Sequence, residues 1–544
     1  MKFVFKFKII AVFIALFLCL VMLIYYLKLL ENSNVDINSP LFKRTQIKSN
    51  KAIQTHFSPN ITERIVHLDL KGAPPKLSYY SQLFPLLRKM GATGVLMGYE
   101  DMFPYSGTLE NISSLNAYTL ADVKEINNLA KQNRLKVVPF IPLLDNMDFL
   151  LKLEEFIDYR EVQNFPSVIC PSYNKALELL ETIIDQVLDA HLESEIIHVG
   201  CNAVPHLGGE YTERSFDFAG RCDRCSNRII TQKLKKNQLF LGHIHVVTAM
   251  IKRKRPSIQV LVWDDFFRTA DPNEIPADSV NASFQPVVWW YGKDVYDELG
   301  PSLWNLYSHI FPNLWLASAY KGAIGSYKYI SDANHYIQNH KSWLSIMDEY
   351  HSKINFQGII LTGWQRYDHF AVLCELLPVG IPALAMRYQD SALGPPLEVA
   401  KMLQCEQPYG LMGTAFGSPK CKFPGGDILE YLNHFHQLDQ EISELLEDPQ
   451  VKGWLSDYNT ASNFSNPTVV KVALISIDEI KAELEVVKEQ ISHSMLKIYY
   501  AHTVQEWLAT YLEPVEKKVL HLWEAKHRIL ERTVWPRGPL IDAL

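Results

Sequence analysis

The chain lacks a basic excess: 53 Lys and Arg stand against 60 Asp and Glu, a formal net charge of −7. General nucleic-acid binders need surplus cations to neutralise phosphates, so no nucleic-acid partner is expected. The one basic cluster, Lys252-Arg-Lys-Arg255, precedes Pro256 at the end of an expected helix, where cations suit the helix dipole. Internal repeats and low-complexity stretches are also missing, which excludes solenoids and disordered tracts. Cysteine is scarce, eight in 544 residues, and with Cys19 inside an apolar run seven remain. An odd number cannot all pair within the chain. Cys405 and Cys421 flank a Pro/Gly-rich loop and are the expected disulfide. Cys222-Asp-Arg-Cys225 has the spacing of a tight disulfide or half a zinc site. No second Cys/His pair lies at suitable spacing, so neither a metal centre nor a cofactor is expected. Cys201 and Cys374 read as small buried hydrophobes.

What the chain does have is length and apolar content, 48% of 544 residues, enough for two or three units. Residues 9–27 are uncharged and almost wholly apolar. At about 1.5 Å per residue such a helix spans roughly a bilayer's hydrocarbon. Lys2, Lys6 and Lys8 precede it, whereas Glu31 and Asp36 soon follow. The positive-inside rule then leaves residues 1–8 cytoplasmic and makes 9–27 a single-pass signal anchor. Residues 28–62 become a polar luminal stem, and the remainder is luminal or extracellular, in a Golgi or other secretory-pathway membrane. A cleaved signal peptide is the alternative; the bulky Tyr25-Tyr26-Leu27-Lys28 exit has no small-residue cleavage site. Sequons at Asn60, Asn111, Asn281 and Asn463 all fall on the luminal side, as a glycoprotein requires.

From 63 to 390, short apolar runs alternate with helical periodicity. The runs are 65–71, 94–99, 135–140, 195–203, 259–263, 284–290, 314–319 and 358–364. Eight buried strands separated by helices predict an α/β fold, a (β/α)8 TIM barrel. An open doubly wound sheet fits less well, because polar or aromatic residues follow nearly every strand and not one switch point. Residues 391–426 are a loop-rich connection, and 427–544 form a helical region with expected helices at 427–448, 468–493 and 495–532. Apolar positions such as Ile475, Ile477, Ile480, Leu484, Val487 and Ile491 suit a hairpin or small bundle packed on or beside the barrel. A coiled-coil stalk would need an unbroken heptad series, which these segments lack.

The fourth run ends His198-Val-Gly200-Cys-Asn202-Ala203. It resembles the His-x-Gly-x-Asp-Glu signature of glycoside hydrolase family 20, and more closely the family's hexosaminidase D branch. Further segments look like that branch: His67-Leu-Asp-Leu-Lys-Gly-Ala-Pro-Pro-Lys76, Tyr99-Glu-Asp-Met-Phe-Pro-Tyr105, Trp263-Asp-Asp265 and Leu361-Thr-Gly-Trp364-Gln-Arg-Tyr-Asp368-His369. The resemblance implies a β-N-acetylhexosaminidase barrel acting by substrate assistance. There the sugar's acetamide oxygen attacks the anomeric carbon, an Asp steadies the oxazolinium and the adjacent Glu protonates the leaving oxygen.

This chain departs from the family at those two positions. Asn202 can hydrogen-bond an acetamide but brings no negative charge, and Ala203 has no proton to give. Where the family has Gly-His before Met, the chain reads Asp145-Asn146-Met147-Asp148. Possible substitute acids are Asp265 and Glu100, with Asp101, Asp264 and Glu210 also near strand tips or the following loop. Trp263, Trp289, Trp290 and Trp364 could box a pyranose, Tyr291 could bond its acetamide oxygen, and Glu375 could contact hydroxyls or pair with a base. His198 reads as a satisfied structural histidine. The expected function is recognition of terminal N-acetylhexosamine on glycans with silent or impaired catalysis. An active hydrolase with a displaced acid and a non-glycan interaction scaffold are the alternatives.

Overall fold

Along each expected barrel strand, neighbouring side chains part company. In a computed structural model, Ile65, Leu96, Val138, Phe140, Ile196, Leu261, Trp263, Val287, Trp315, Ala317 and Ile360 form one buried cluster. Their chain neighbours Val66, Val95, Ile197, Val260, Val262, Val288, Leu314, Leu316 and Leu361 belong to another. Two-residue alternation between a filled lumen and an outer layer under helices defines a small closed barrel. The structure describes residues 61–202, 222–275, 283–390, 401–405 and 421–538. These lie in the compact unit Pro59–Leu544; the expected anchor at 9–27 falls in a separate unit, Met1–Ser58, outside the described residues. No helix among the described residues is long and apolar enough to cross a membrane.

Among the described residues, ten strands occur in chain order: β1 Glu63–Asp69, β2 Gly94–Gly98, β3 Lys136–Phe140, β4 Arg160–Val162, β5 Phe165–Ile169, β6 Ile196–His198, β7 Gln259–Trp263, β8 Gln285–Trp289, β9 Asn313–Lys321 and β10 Asn355–Gly363. All but β4 and β5 pair in parallel into a closed barrel ordered β1-β10-β9-β8-β7-β6-β3-β2. The register sets Asp69 beside Gly98, Phe140 beside His198 and Trp289 beside Ala317, so these side chains end at one rim. The β4–β5 antiparallel hairpin is an addition that the sequence reading missed. It braces the loop after β3, since Met147 N–H donates to Ser167 O at 3.0 Å and Ile169 N–H to Leu144 O at 2.9 Å.

Outer helices follow local signals. Leu120–Gln132 starts in a capping box between Thr119 and Asp122, while Leu77–Met90 stops at Gly91 (φ 104°). The C-terminal helices Gly426–Glu447, Ile477–Ile498 and Glu513–Glu531 pack through Leu432, Phe435, Leu484, Val487, Ile491, Val519 and Leu522. Two expected helices are shorter than their periodicity. The 468–493 run breaks into Pro467–Ala473 and Ile477–Ile498, and Ile475, 80% exposed, sits in the break and outside the core. The 495–532 run breaks at Tyr499–Tyr500. Lys76 N–H to Ile498 O (2.7 Å), Thr503 Oγ1 to Gly72 O (2.9 Å) and the Arg366–Glu506 pair (2.9 Å) fasten these helices to the barrel rim. Cys405 and Cys421 are joined in the expected disulfide.

Candidate active site

Three strand tips hold non-glycine residues in the left-handed region: Glu100 (φ 47°) after β2, Asn146 (φ 52°) after β3 and Cys201 (φ 60°) after β6. Each such conformation costs about 1–3 kcal/mol and persists only where packing enforces it. Beyond β6, Gly200 (φ 69°) turns the chain back and donates its N–H to His198 Nδ1 at 3.0 Å. Asn202 then donates its backbone N–H to Asp145 Oδ1 at 2.9 Å, and Asn146 Nδ2 bonds Asp145 Oδ2 at 3.0 Å. The loops after β3 and β6 are thus tied through one carboxyl. His198 is the last residue of β6, against the expectation of a satisfied histidine set back from the tip; its buried Nε2 has no partner among the described residues.

Asp145 is 8% exposed. Burial pushes its carboxyl up to about 7; the Asn202 N–H opposes this, and the Asp265 charge adds to it. Half-buried Asp265 is raised to about 6 by burial and by neighbouring Asp264. Both carboxyls hold protons well above the ordinary range. Asp264 is engaged elsewhere: it takes Arg268 Nε at 2.8 Å and Tyr307 Oη at 2.9 Å. Asp145 was not among the expected acids, although an acidic residue just past an apolar run was there to be read.

A second charged group lines the tips of β1 and β2. Lys71 Nζ lies 3.1 Å from Asp69 and 3.0 Å from Glu100, all three buried. Burial, which would raise Asp69, is outweighed by the Lys71 charge together with smaller contributions that include the Gln365 N–H and the Lys321 charge, so Asp69 stays below its usual range. Glu100 also meets His369 Nε2 at 2.7 Å. His369 Nδ1 is 3.4 Å from Asp101, and Lys152 lies 3.3 Å from the same carboxylate. Glu100 and Asp101 are therefore held by cationic partners, while Asp145 and Asp265 have raised proton affinities.

The aromatic residues divide by strand alternation. Trp263, Trp289 and Trp364 pack with the lumen cluster, and Trp364 Nε1 donates to Tyr291 Oη at 3.2 Å. Trp263 packs tilted against His198 with ring centroids 4.3 Å apart, and Trp289 lies 4.9 Å from Tyr291. His67, lowered to about 3 by burial and so neutral, meets Trp364 edge-on at 4.8 Å. Gly322 (φ 68°) is needed here, because any Cβ would fall 2.0 Å from the Trp364 carbonyl oxygen. Trp290 is not brought to this group. It packs with the outer core, and its carbonyl accepts Asn339 Nδ2 at 2.9 Å and Trp343 Nε1 at 3.1 Å. Glu375 is fully buried, bonded by the Gly322 N–H and by Tyr336 Oη (3.2 Å), and raised to about 7 by burial. Its carboxyl ties the loop after β9 to the helix Ala333–Tyr350.

Ala203 and Glu210 lie outside the described residues, as do the sequons at Asn60 and Asn281. Asn111 is exposed, and Asn463 is half-buried with its Oδ1 accepting from Arg528 Nε at 3.1 Å. The spacing argument that left Cys222 and Cys225 without further ligands is corrected by tertiary structure. Glu161 and Cys170, from the β4–β5 hairpin, bring their side chains to the same buried place.

Residues 78–299 match the glycosyl hydrolase family 20 catalytic domain. The chain is 34% identical to hexosaminidase D of Homo sapiens over 484 residues, covering 88% of this chain and 96% of that one. It is 40% identical to hexosaminidase D of Bos taurus over 328 residues, covering 60% and 91%. A solved β-N-acetylhexosaminidase from Bacteroides fragilis is 14% identical, with a TM-score of 0.42 over 61% of this chain and 65% of that one. With the human relative matched across nearly its whole length, the chain belongs to glycosyl hydrolase family 20, in its hexosaminidase D branch.

Proposed function

We propose that this barrel binds a terminal β-linked N-acetylhexosamine of a glycan and hydrolyses it poorly or not at all. One observation carries the reading. Asn202, at the tip of β6 where the family's Asp is expected, has its backbone N–H on Asp145 and a buried Oδ1 with no hydrogen-bond partner among the described residues. An unpaired buried acceptor suits an acetamide N–H. Being neutral, it brings no charge to an oxazolinium, and Ala203 beside it brings no proton. Loss of general acid catalysis alone is worth about 10²- to 10⁴-fold. Trp263, Trp289 and Trp364 supply apolar faces for the sugar, and the name shared by the human and bovine relatives supports a hexosamine as ligand.

A second reading, a slow hydrolase with a displaced acid, is favoured by one observation: Asp145 and Asp265 are raised to about 7 and about 6, the range of working general acids. Calorimetry with N-acetylglucosamine and turnover of an aryl N-acetylglucosaminide, on wild type, Trp364→Ala, Asp265→Asn and Asp145→Asn, separate the two. Saturable binding lost in Trp364→Ala without turnover supports the first; turnover abolished by Asp265→Asn or Asp145→Asn supports the second. We also infer a type II orientation, with the barrel luminal or extracellular behind the 9–27 run and glycosylated. The lysines before that run, the sequons and the Cys405–Cys421 disulfide support it.

A further inference from the structure

Away from the barrel mouth, three sulfurs and a carboxylate converge in the protein interior. Glu161 on β4, Cys170 just after β5, and Cys222 and Cys225 at the start of the helix Asp223–Gln232 are all buried. One ligand atom from each lies within 4.8 Å of every other. Cys170 Sγ is 3.5 Å from Cys222 Sγ and 3.7 Å from Cys225 Sγ, and Cys225 Sγ is 3.0 Å from Glu161 Oε2. A tetrahedral ion with metal–sulfur bonds of about 2.3 Å sets its sulfurs about 3.8 Å apart. The four atoms thus stand close to the corners such an ion demands.

We propose that Glu161, Cys170, Cys222 and Cys225 bind one zinc ion in a closed structural site. The donor set decides the metal. Thiolates select zinc over magnesium or calcium, and a carboxylate as fourth ligand fills the tetrahedron and leaves no open position for catalysis. Disulfide chemistry does not satisfy the same group, because a bridge between any two of three sulfurs strands the third. Ser172 Oγ, 3.1 Å from Cys225 Sγ, would donate to the bound thiolate, an outer contact of the kind that orients metal ligands. Arg224 and Arg228 bond the carbonyls of Asp158 (2.7 Å) and Pro171 (3.1 Å), placing two cations around an anionic ligand set.

The site's position gives it a purpose. It clamps the β4–β5 hairpin, which braces the Asp145 loop, to Cys222, where the segment that leaves Asn202 returns to described structure. One ion would fix the bases of both loops that meet at Asp145, whether or not the barrel hydrolyses glycosides.

The test uses full-length chain produced in zinc-supplemented medium and purified without chelator. Elemental analysis is expected to find about one zinc per chain, and zinc-edge X-ray absorption about three sulfurs near 2.3 Å with one light ligand near 2.0 Å. Cobalt exchange should give a thiolate-to-cobalt charge-transfer band and tetrahedral visible bands. Cys225→Ser should lose the metal, and Glu161→Gln should bind it at least about 10-fold more weakly. Should Cys225→Ser fail to fold, the wild-type zinc content and absorption spectrum still decide. Wild type without stoichiometric zinc overturns the proposal, whether mass spectrometry finds three alkylatable thiols or a Cys222–Cys225 or Cys170–Cys222 disulfide.

Discussion

Restoring the family's Asp and Glu by Asn202→Asp with Ala203→Glu should recover only part of the missing activity unless Asp145 is removed as well. Asp145 Oδ1 already accepts the backbone N–H of residue 202 at 2.9 Å, so a carboxylate introduced there stands close to an existing one. Two charges roughly 5 Å apart at an effective dielectric near 20 repel by about 3 kcal/mol. That equals about two pKa units, imposed on an Asp145 already raised to about 7. The pair would then share a proton across the neutral range, and the new Asp would spend part of its time uncharged. A third change, Asp145→Gly, removes the competitor. A proton shared evenly leaves the new Asp charged about half of the time, so kcat/KM on an aryl N-acetyl-β-glucosaminide should be about twofold higher in the triple variant than in the double near neutral pH. The gap should narrow toward alkaline pH, where both carboxyls of the double variant ionise and no proton is left to share. A double variant as active as the triple from pH 5 to 8 would mean that Asp145 takes no share of the restored Asp's charge.

Asp145 and Asp265, raised mainly by burial, bind protons in the native state that the unfolded chain releases between about pH 4 and 7. Their contribution to stability is complete below about pH 4 and is lost as pH rises through 6 to 7, so Asp145→Asn should flatten that decline, by up to about 4 kcal/mol; urea midpoints at pH 5 and 8 measure it, and an unchanged slope counts against the assignment. Lys71→Met leaves buried Asp69 and Glu100 without their shared cation and should cost about 3–5 kcal/mol in denaturant titration; a loss under about 1 kcal/mol would contradict the network's role. Trp289→Ala should abolish N-acetylglucosamine binding at near-native stability, whereas Trp290→Ala should keep the affinity and lose about 2–4 kcal/mol of stability. The reverse pattern in calorimetry and melting would mean the two faces of β8 have been assigned the wrong way round.

The barrel was legible because parallel strands covered on both faces are written as near-continuous apolar runs, such as Val95-Leu96-Met97 and Val260-Leu261-Val262, each followed by polar residues. The direction of Trp290 was also legible: adjacent positions on a strand face opposite sides, so Trp289 and Trp290 could not both reach the lumen. Asp145 was legible as an acid past a strand end, but its partner was not, since the bond to Asn202 joins loops 57 residues apart. The sulfur cluster lay further out of reach. Cys170 precedes Cys222 by 52 residues, and the hairpin that carries it to the site is too short to leave a periodic signal. The break at Ile475 escaped notice for the opposite reason, because helical spacing of apolar residues continued through it.

The proposed role requires the pocket to hold an N-acetylhexosamine while cleaving its glycosidic bond poorly or not at all. Saturation-transfer NMR on a β-linked N-acetylglucosamine disaccharide mixed with full-length wild-type chain follows binding and cleavage in one sample. Saturation of the terminal acetamide methyl, lost in Trp364→Ala, is expected with nearly all of the disaccharide intact after many hours. Release of free N-acetylglucosamine that consumes the disaccharide within that time, or a methyl signal that never saturates, would contradict it.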